Sequence, residues 1–184
     1  MTHALTLDLT PTDTPVGPMA LYAQGDSLLG LTFDGGHDAT HPVAQHIARH
    51  LGAFGTRRVE DAAGAASRLA RYFAGDVAAL DEQAVRLLGT EFQRQVWTAL
   101  RDIPAGSTFS YAQLARSLSR PNAVRAVAAA NGANPVAVFV PCHRVIAADG
   151  TLWGYGGGLR MKQWLLRHEG AWFTPLSEQE ALPL

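Results

Sequence analysis

The spacing of apolar positions changes along this chain, and each change marks an element. Residues 3–9 are rich in β-formers, and residues 10–18, with Pro11, Pro15 and Pro18, predict a linker-like loop. Two short runs, 19–24 and 27–33, flank Gly25 and Asp26 and predict a β-hairpin closed by Gly35 and Gly36. Residues 42–51 and 62–73 have helical spacing; in the second, Ala65, Leu69, Tyr72 and Phe73 fall at i, i+4, i+7 and i+8. This half has the pattern of a small sheet with helices, without a catalytic constellation. Residues 75–83, small and acidic, then separate it from the second half.

Beyond Gly89 the pattern becomes helical. Thr90 is an N-cap, and Glu91 places a negative charge at the positive end of the helix dipole. Phe92, Val96 and Leu100 form a core stripe with Trp97 beside it, and Pro104 and Gly106 end the helix. Ser110 caps a second helix over 111–118, with Leu114 and Leu118 inward. A tight turn at Arg120, Pro121 and Asn122 leads to a third helix over 122–131, giving the outline of a helix-turn-helix. In that helix Val124, Val127, Ala128 and Asn131 take the buried spacing. Arg125 and Ala129 then point outward, with Ala126 and Ala130 on the flank. An arginine on an alanine surface suits close approach to a DNA groove; an ordinary alanine-rich helix with one exposed arginine has the same pattern. The apolar run 136–140 predicts a core strand, followed by a glycine-rich loop and a last helix over 160–168 ended by Gly170.

Composition narrows the classes. At 184 residues, 47% apolar and 17% charged, the chain reads as folded, with one or two domains. No apolar run approaches the about 18 residues of a membrane span, and Met1 to Ala4 lack the basic-then-apolar order of a leader, so a cytoplasmic location is expected. The net charge of −1 conceals an asymmetry. Residues 90–170 hold eight arginines and Lys162 against Glu91, Asp102, Asp149 and Glu169, whereas residues 1–89 are net acidic. Such a positive segment fits a polyanion-binding face. His46 and His50, at i and i+4, have no acidic or thiol partner at ligand spacing; no metal and no cofactor are expected.

Cys142 is the only cysteine, so it forms no internal disulfide. Buried core cysteine is the ordinary reading. Against it stand its place where a strand yields to a turn, Pro141 ahead of it, and His143 and Arg144 behind, since cationic neighbours favour the thiolate.

Together these pieces resemble the O6-alkylguanine-DNA alkyltransferases, or methylated-DNA–protein-cysteine methyltransferases. The resemblance rests on Gly89 to Trp97; Ser110, Tyr111, Leu114 and Ala115; Arg125 to Val127; Asn134 and Pro135; Pro141 to Val145; Tyr155, Gly157 and Gly158; and Trp164 to Leu166 with His168 to Gly170. It implies an α/β N-terminal domain of ribonuclease-H-like shape over 1–83. It also implies a mostly α, winged-helix-like C-terminal domain with a helix-turn-helix over 84–170, followed by a tail over 171–184. The implied function is direct-reversal repair: single-turnover transfer of an alkyl group from guanine O6, with thymine O4 as a further oxygen, to Cys142 after base flipping. The implied partner is double-stranded DNA carrying O6-alkylguanine, and a monomer without a membrane role is expected.

The resemblance also distributes roles. Cys142 is the nucleophile, His143 its base through a water, and Glu169 orients His143. Tyr111, Asn134, Val145, Tyr155 and Gly156 serve the guanine. Arg125 fills the vacated stack, with Ala126 and Ala129 at the groove, and Arg144 is structural. Ala128 and Ala129 replace frequent glycines, and Ala137 replaces a frequently larger or cyclic residue, implying a roomier pocket wall. A non-catalytic alkyl-lesion-binding protein on the same fold is the alternative; such proteins lack the cysteine, so Cys142 argues against it. A cysteine hydrolase would leave the helix-turn-helix and basic half unexplained, and a methyl-sensing regulator would need a further DNA-binding domain.

Overall fold

The computed structural model describes residues 5–179. Residues 1–4, where the first strand expectation begins and where a leader would start, and the tail residues 180–184 lie outside the described residues. The chain divides into two compact units, Met1–Gly89 and Thr90–Leu184.

The first unit is built on a four-stranded sheet: β1 (Leu5–Thr14), β2 (Gly17–Gln24), β3 (Ser27–Thr32) and β4 (Phe54–Arg58), in the order β3-β2-β1-β4. β1 and β2, and β2 and β3, pair antiparallel; β1 and β4 pair parallel. The hairpin at Gly25 and Asp26 forms as expected, but 10–18 is not a linker. β1 runs through Pro11 to Thr14 and turns at Pro15 and Val16 into β2. Two features allow it. β4 pairs β1 only from Leu5 to Leu9, so at Pro11 the strand has an open edge, where a missing N–H is tolerated. The Thr14 hydroxyl donates to the Gly17 carbonyl at 2.6 Å and accepts from Val16 N at 3.3 Å, closing the turn.

Two helices cover this sheet, α1 (Pro42–Leu51) and α2 (Ala65–Phe73). α1 buries Ala44 and Ile47 in a cluster with Leu7, Leu9, Ala20, Tyr22, Leu29 and Leu88. The expected helix over 62–73 is broken: Ala62–Gly64 is a 3₁₀ turn in which Ala63 has φ 55°, and the α-helix starts only at Ala65. The expected boundary at 83/84 moves to 89/90, because 84–88 still belong to the sheet. Leu28 N donates to Ala84 O, Arg86 N donates to Leu28 O, both at 2.9 Å, and Leu88 is in the core. His46 Nε2 donates to Leu88 O at 2.6 Å and His50 Nδ1 to His46 O at 2.9 Å, so both histidines are engaged by backbone. Among the described residues no cluster of three His, Cys, Asp or Glu side chains could hold a metal ion.

The second unit is mainly helical: α3 (Glu91–Arg101), α4 (Tyr111–Ser117), α5 (Val124–Gly132), α6 (Leu159–His168) and α7 (Leu176–Gln179), with a two-residue parallel ladder of β5 (Phe109–Ser110) and β6 (Val145–Ile146). Thr90 and Ser110 cap α3 and α4 in full capping boxes with Gln93 and Gln113. α3 buries Val96, Trp97 and Leu100, and the Trp97 indole N–H donates to Ala130 O of α5 at 2.8 Å. In α5 the inward residues are Val127, Ala130 and Asn131, while Arg125, Ala126 and Ala129 are exposed. Ala130, expected on the flank, is therefore buried against α3.

The expected strand 136–140 is a loop. All five residues are buried, yet their backbone closes on itself: Val140 N donates to Val136 O at 2.9 Å, and Val138 takes φ 72°. A short apolar run cannot by itself distinguish strand from any other buried segment. Likewise the stretch after α6 is not a free tail. Ala171 and Phe173 join Ile146, Leu152 and Leu166 in a second cluster against which Leu176 packs. No helix among the described residues is long and apolar enough to cross a membrane.

Candidate active site

The site is built on the turn that follows the 136–140 loop. Cys142, His143 and Arg144 form a single 3₁₀ turn, not a strand end, and all three are buried. Cys142 N donates to Val140 O at 2.8 Å, and the turn passes into β6, which pairs Val145 with Phe109 and Ile146 with Ser110. Asn134 braces the approach: its Nδ2 donates to Val140 O at 2.8 Å and its Oδ1 accepts from Val136 N at 3.0 Å.

Glu169, the C-cap of α6, meets this turn from the other side. Its side chain is fully buried and serves two partners. His143 Nε2 donates to Oε1 at 3.0 Å, while Arg144 donates from Nε to Oε2 and from Nη2 to Oε1, each at 2.9 Å. Arg144 Nη1 also donates to Ile103 O at 2.5 Å, which ties the turn to the end of α3. A carboxylate only accepts, so the proton of a neutral His143 sits on Nε2 and the lone pair on Nδ1. That Nδ1 is buried and has no hydrogen-bond partner among the described residues.

The electrostatics differ from the sequence expectation. His143 and Arg144 were the expected sources of positive charge for the thiolate. Burial, however, pushes the His143 pKa down despite Glu169, so the ring is neutral near pH 7. Arg144 in turn is matched by the Glu169 carboxylate. Burial opposes ionisation of Glu169, but His143 and Arg144 together hold its carboxyl well below the usual carboxylate range. Burial also raises the Cys142 thiol, offset in part by the Asn134 side chain and by the charge of Lys162. A thiol so placed is largely protonated at neutral pH and requires a base.

Lys162 was not anticipated as part of the site. Its side chain is completely buried, and Nζ donates to Val145 O at 2.7 Å and Trp153 O at 2.9 Å. Burial pushes its pKa down to about 8, against the opposing pull of Cys142. The sequence did carry a signal: Lys162, Leu165, Leu166 and Glu169 lie at i, i+3, i+4 and i+7, the inner stripe of α6. A lysine on that stripe is buried by register.

The other expected residues fall into two groups. Tyr111 opens α4, half-buried, and its phenol pKa is raised by burial and by the charge of Cys142, which places it in the field of the thiol. The Tyr155 ring stands edge-on to His143, centroids 6.3 Å apart. Gly156 is exposed in the loop between Lys162-bound Trp153 and α6. Arg125, Ala126 and Ala129 stand on the solvent face of α5, outside the Cys142–His143–Glu169 network.

This chain is similar to proteins of one family. The family model for the DNA-binding domain of 6-O-methylguanine DNA methyltransferase matches residues 91–171. A methylated-DNA–protein-cysteine methyltransferase of Salmonella typhimurium is 45% identical over 158 residues, covering 85% of this chain and 92% of that protein. One of Mycobacterium bovis is 43% identical over 157 residues, covering 85% and 88%. The crystal structure of Mycobacterium tuberculosis OGT in complex with DNA superposes with a TM-score of 0.72 at 38% identity, covering 89% of this chain and 92% of that one. With a buried thiol, an imidazole whose free nitrogen is unpaired and relatives matched over nearly their whole length, the chain belongs to the methylated-DNA–protein-cysteine methyltransferase family.

Proposed function

We propose that this protein repairs DNA by direct reversal, taking an alkyl group from guanine O6, and from thymine O4, onto Cys142 in a single irreversible turnover. The observation that carries the reading is the buried series Cys142, His143, Glu169, with His143 Nδ1 unpartnered among the described residues and the thiol of the preceding residue kept protonated by burial. Glu169 fixes the imidazole tautomer. His143 Nδ1 then takes the thiol proton through one water, and the thiolate attacks the alkyl carbon opposite the departing oxygen. One S–C bond forms as one C–O bond breaks; the electron pair stays on the guanine, which takes up a proton. Tyr111 supports that proton uptake and helps turn the nucleotide out. No cofactor takes part.

The guanine is held by the turn and the 153–158 loop. The carbonyls of Cys142 and Val145 accept from its exocyclic amine, and the Gly156 N–H faces O6, with Tyr155 as a wall and Asn134 bracing the turn. Extrusion of the base costs a few kcal/mol, less for a poorly paired lesion. Arg125 fills the gap in the stack, and Ala126 and Ala129 let α5 approach the minor groove. Arg144 is a structural tie. The finer fold reading is a ribonuclease-H-like first domain that supports the site and a winged-helix-like second domain that binds DNA, in a monomeric cytoplasmic protein.

The test is to mix the protein with a duplex carrying one O6-methylguanine and weigh the intact protein. One methyl group per molecule, on Cys142, is expected, and Cys142→Ser abolishes uptake. Multiple turnover, or uptake by the serine variant, refutes the reading.

A further inference from the structure

The proposed function sets the backbone of the 153–158 loop against the guanine but gives the Trp153 side chain no task, although two bonds fix the residue beside the site. Its carbonyl accepts from the same Lys162 Nζ that holds Val145 O, at 2.9 and 2.7 Å, so its backbone lies against the segment that carries Cys142. Its indole Nε1–H donates to Thr151 Oγ1 at 2.8 Å, and that hydroxyl, largely buried, donates to Asp149 Oδ1 at 2.7 Å. The ring is thus oriented and its one polar atom is occupied, yet the residue remains 65% exposed. With that atom bonded, the rest of the exposed side chain is aromatic carbon.

The other tryptophans of this unit differ. Trp97 is buried and bonded to Ala130, and Trp164 stacks on His168 at 4.9 Å and 17°. Trp172 is 71% exposed, but its ring lies over Gly150, where a Cβ would come within 2.7 Å of it.

We infer that Trp153 is a stacking platform for a nucleobase of the bound DNA that stays outside the guanine pocket. This rests on the repair reading above, which brings DNA to the segment next to it. A flat, uncharged face with its N–H already satisfied recognises another flat ring, and every base offers one, so the contact is indifferent to sequence. It adds an uncharged contact to a segment, residues 90–170, whose basic residues outnumber its acidic ones.

The experiment measures binding of a labelled duplex carrying one O6-methylguanine, at several salt concentrations. It uses Cys142→Ser protein so that no transfer intervenes, with and without Trp153→Leu or Trp153→Phe. Trp153→Leu weakens binding by about 5- to 150-fold, the range for losing one base–aromatic stack. Trp153→Phe retains most of the affinity. The salt slope is unchanged, since no phosphate contact is lost. In protein that keeps Cys142, Trp153→Leu leaves the rate of thiol alkylation by iodoacetamide as in wild type, which separates a DNA contact from a structural role. Binding by Trp153→Leu within about twofold of its parent, a fall in thiol reactivity in parallel, or a reduced salt slope overturns the inference. If wild-type protein takes up no methyl group, the repair reading falls instead, and the binding ratio still judges Trp153.

Discussion

Replacing Glu169 by Gln tests the centre of the site, because one buried carboxylate satisfies two different side chains. Glutamine offers one acceptor oxygen where the carboxylate offers two, and it turns an NH2 group toward either His143 or Arg144. Three bonds of 2.9–3.0 Å are disturbed, and Arg144, only 4% exposed, keeps its charge with Ile103 O as the remaining acceptor. Removing one partner of a buried ion pair costs about 3–5 kcal/mol, against a total stability of about 5–15 kcal/mol for a domain. The expected result in urea denaturation at pH 7 is therefore a loss of that size. The pH dependence follows from the depressed Glu169 pKa. In the unfolded chain the carboxyl protonates near its usual value of about 4.3, while in the fold it stays ionised to much lower pH. Its contribution is thus complete above about pH 5 and declines as the pH falls, so the wild-type advantage narrows in acid. A loss under about 1 kcal/mol, the size of an exposed pair, or a difference that does not change between neutral and acid pH, refutes the reasoning.

Two further outcomes follow from neighbouring contacts. Lys162→Met removes the buried positive charge nearest in effect to Cys142. The pH midpoint for alkylation of Cys142 by iodoacetamide therefore moves upward, and an unchanged midpoint shows that Lys162 does not favour the thiolate. Asn134→Ala leaves Val140 O and Val136 N without their side-chain partner and lowers stability by about 1–3 kcal/mol, read as a lower urea midpoint at constant slope.

Elements with a strong local signal were legible in the sequence. Thr90 and Ser110 start helices where their capping chemistry requires it, and the 42–51 helix has the expected bounds. What local pattern could not show was how segments without period satisfy their backbone. Residues 136–140 looked like a strand because they are apolar, and they are buried, but by folding back on themselves. Pro11 argued for a loop, and only the short reach of β4 makes a strand acceptable there. Residues 84–88 carry no sign that they belong to the first sheet; the partner of Ala84 and Arg86 is Leu28, far back in the chain. The charge balance at Cys142 is non-local for the same reason. Adjacency in sequence pointed to His143 and Arg144, whereas the uncompensated charge arrives from Lys162 on another element.

The smallest sheet in the molecule also sets a tolerance. Phe109 opposite Val145, and Ser110 opposite Ile146, are its whole extent, and Ser110 is at the same time the cap of α4. Tyr111 therefore begins one residue after the ladder on one side, as Cys142 ends three residues before it on the other. The helices that would grip DNA and the atom that would react with it are indexed to each other by two residue pairs. A slip of one residue there would leave both helices and thiol intact, yet put the sulfur one tooth out of gear with whatever the helices hold.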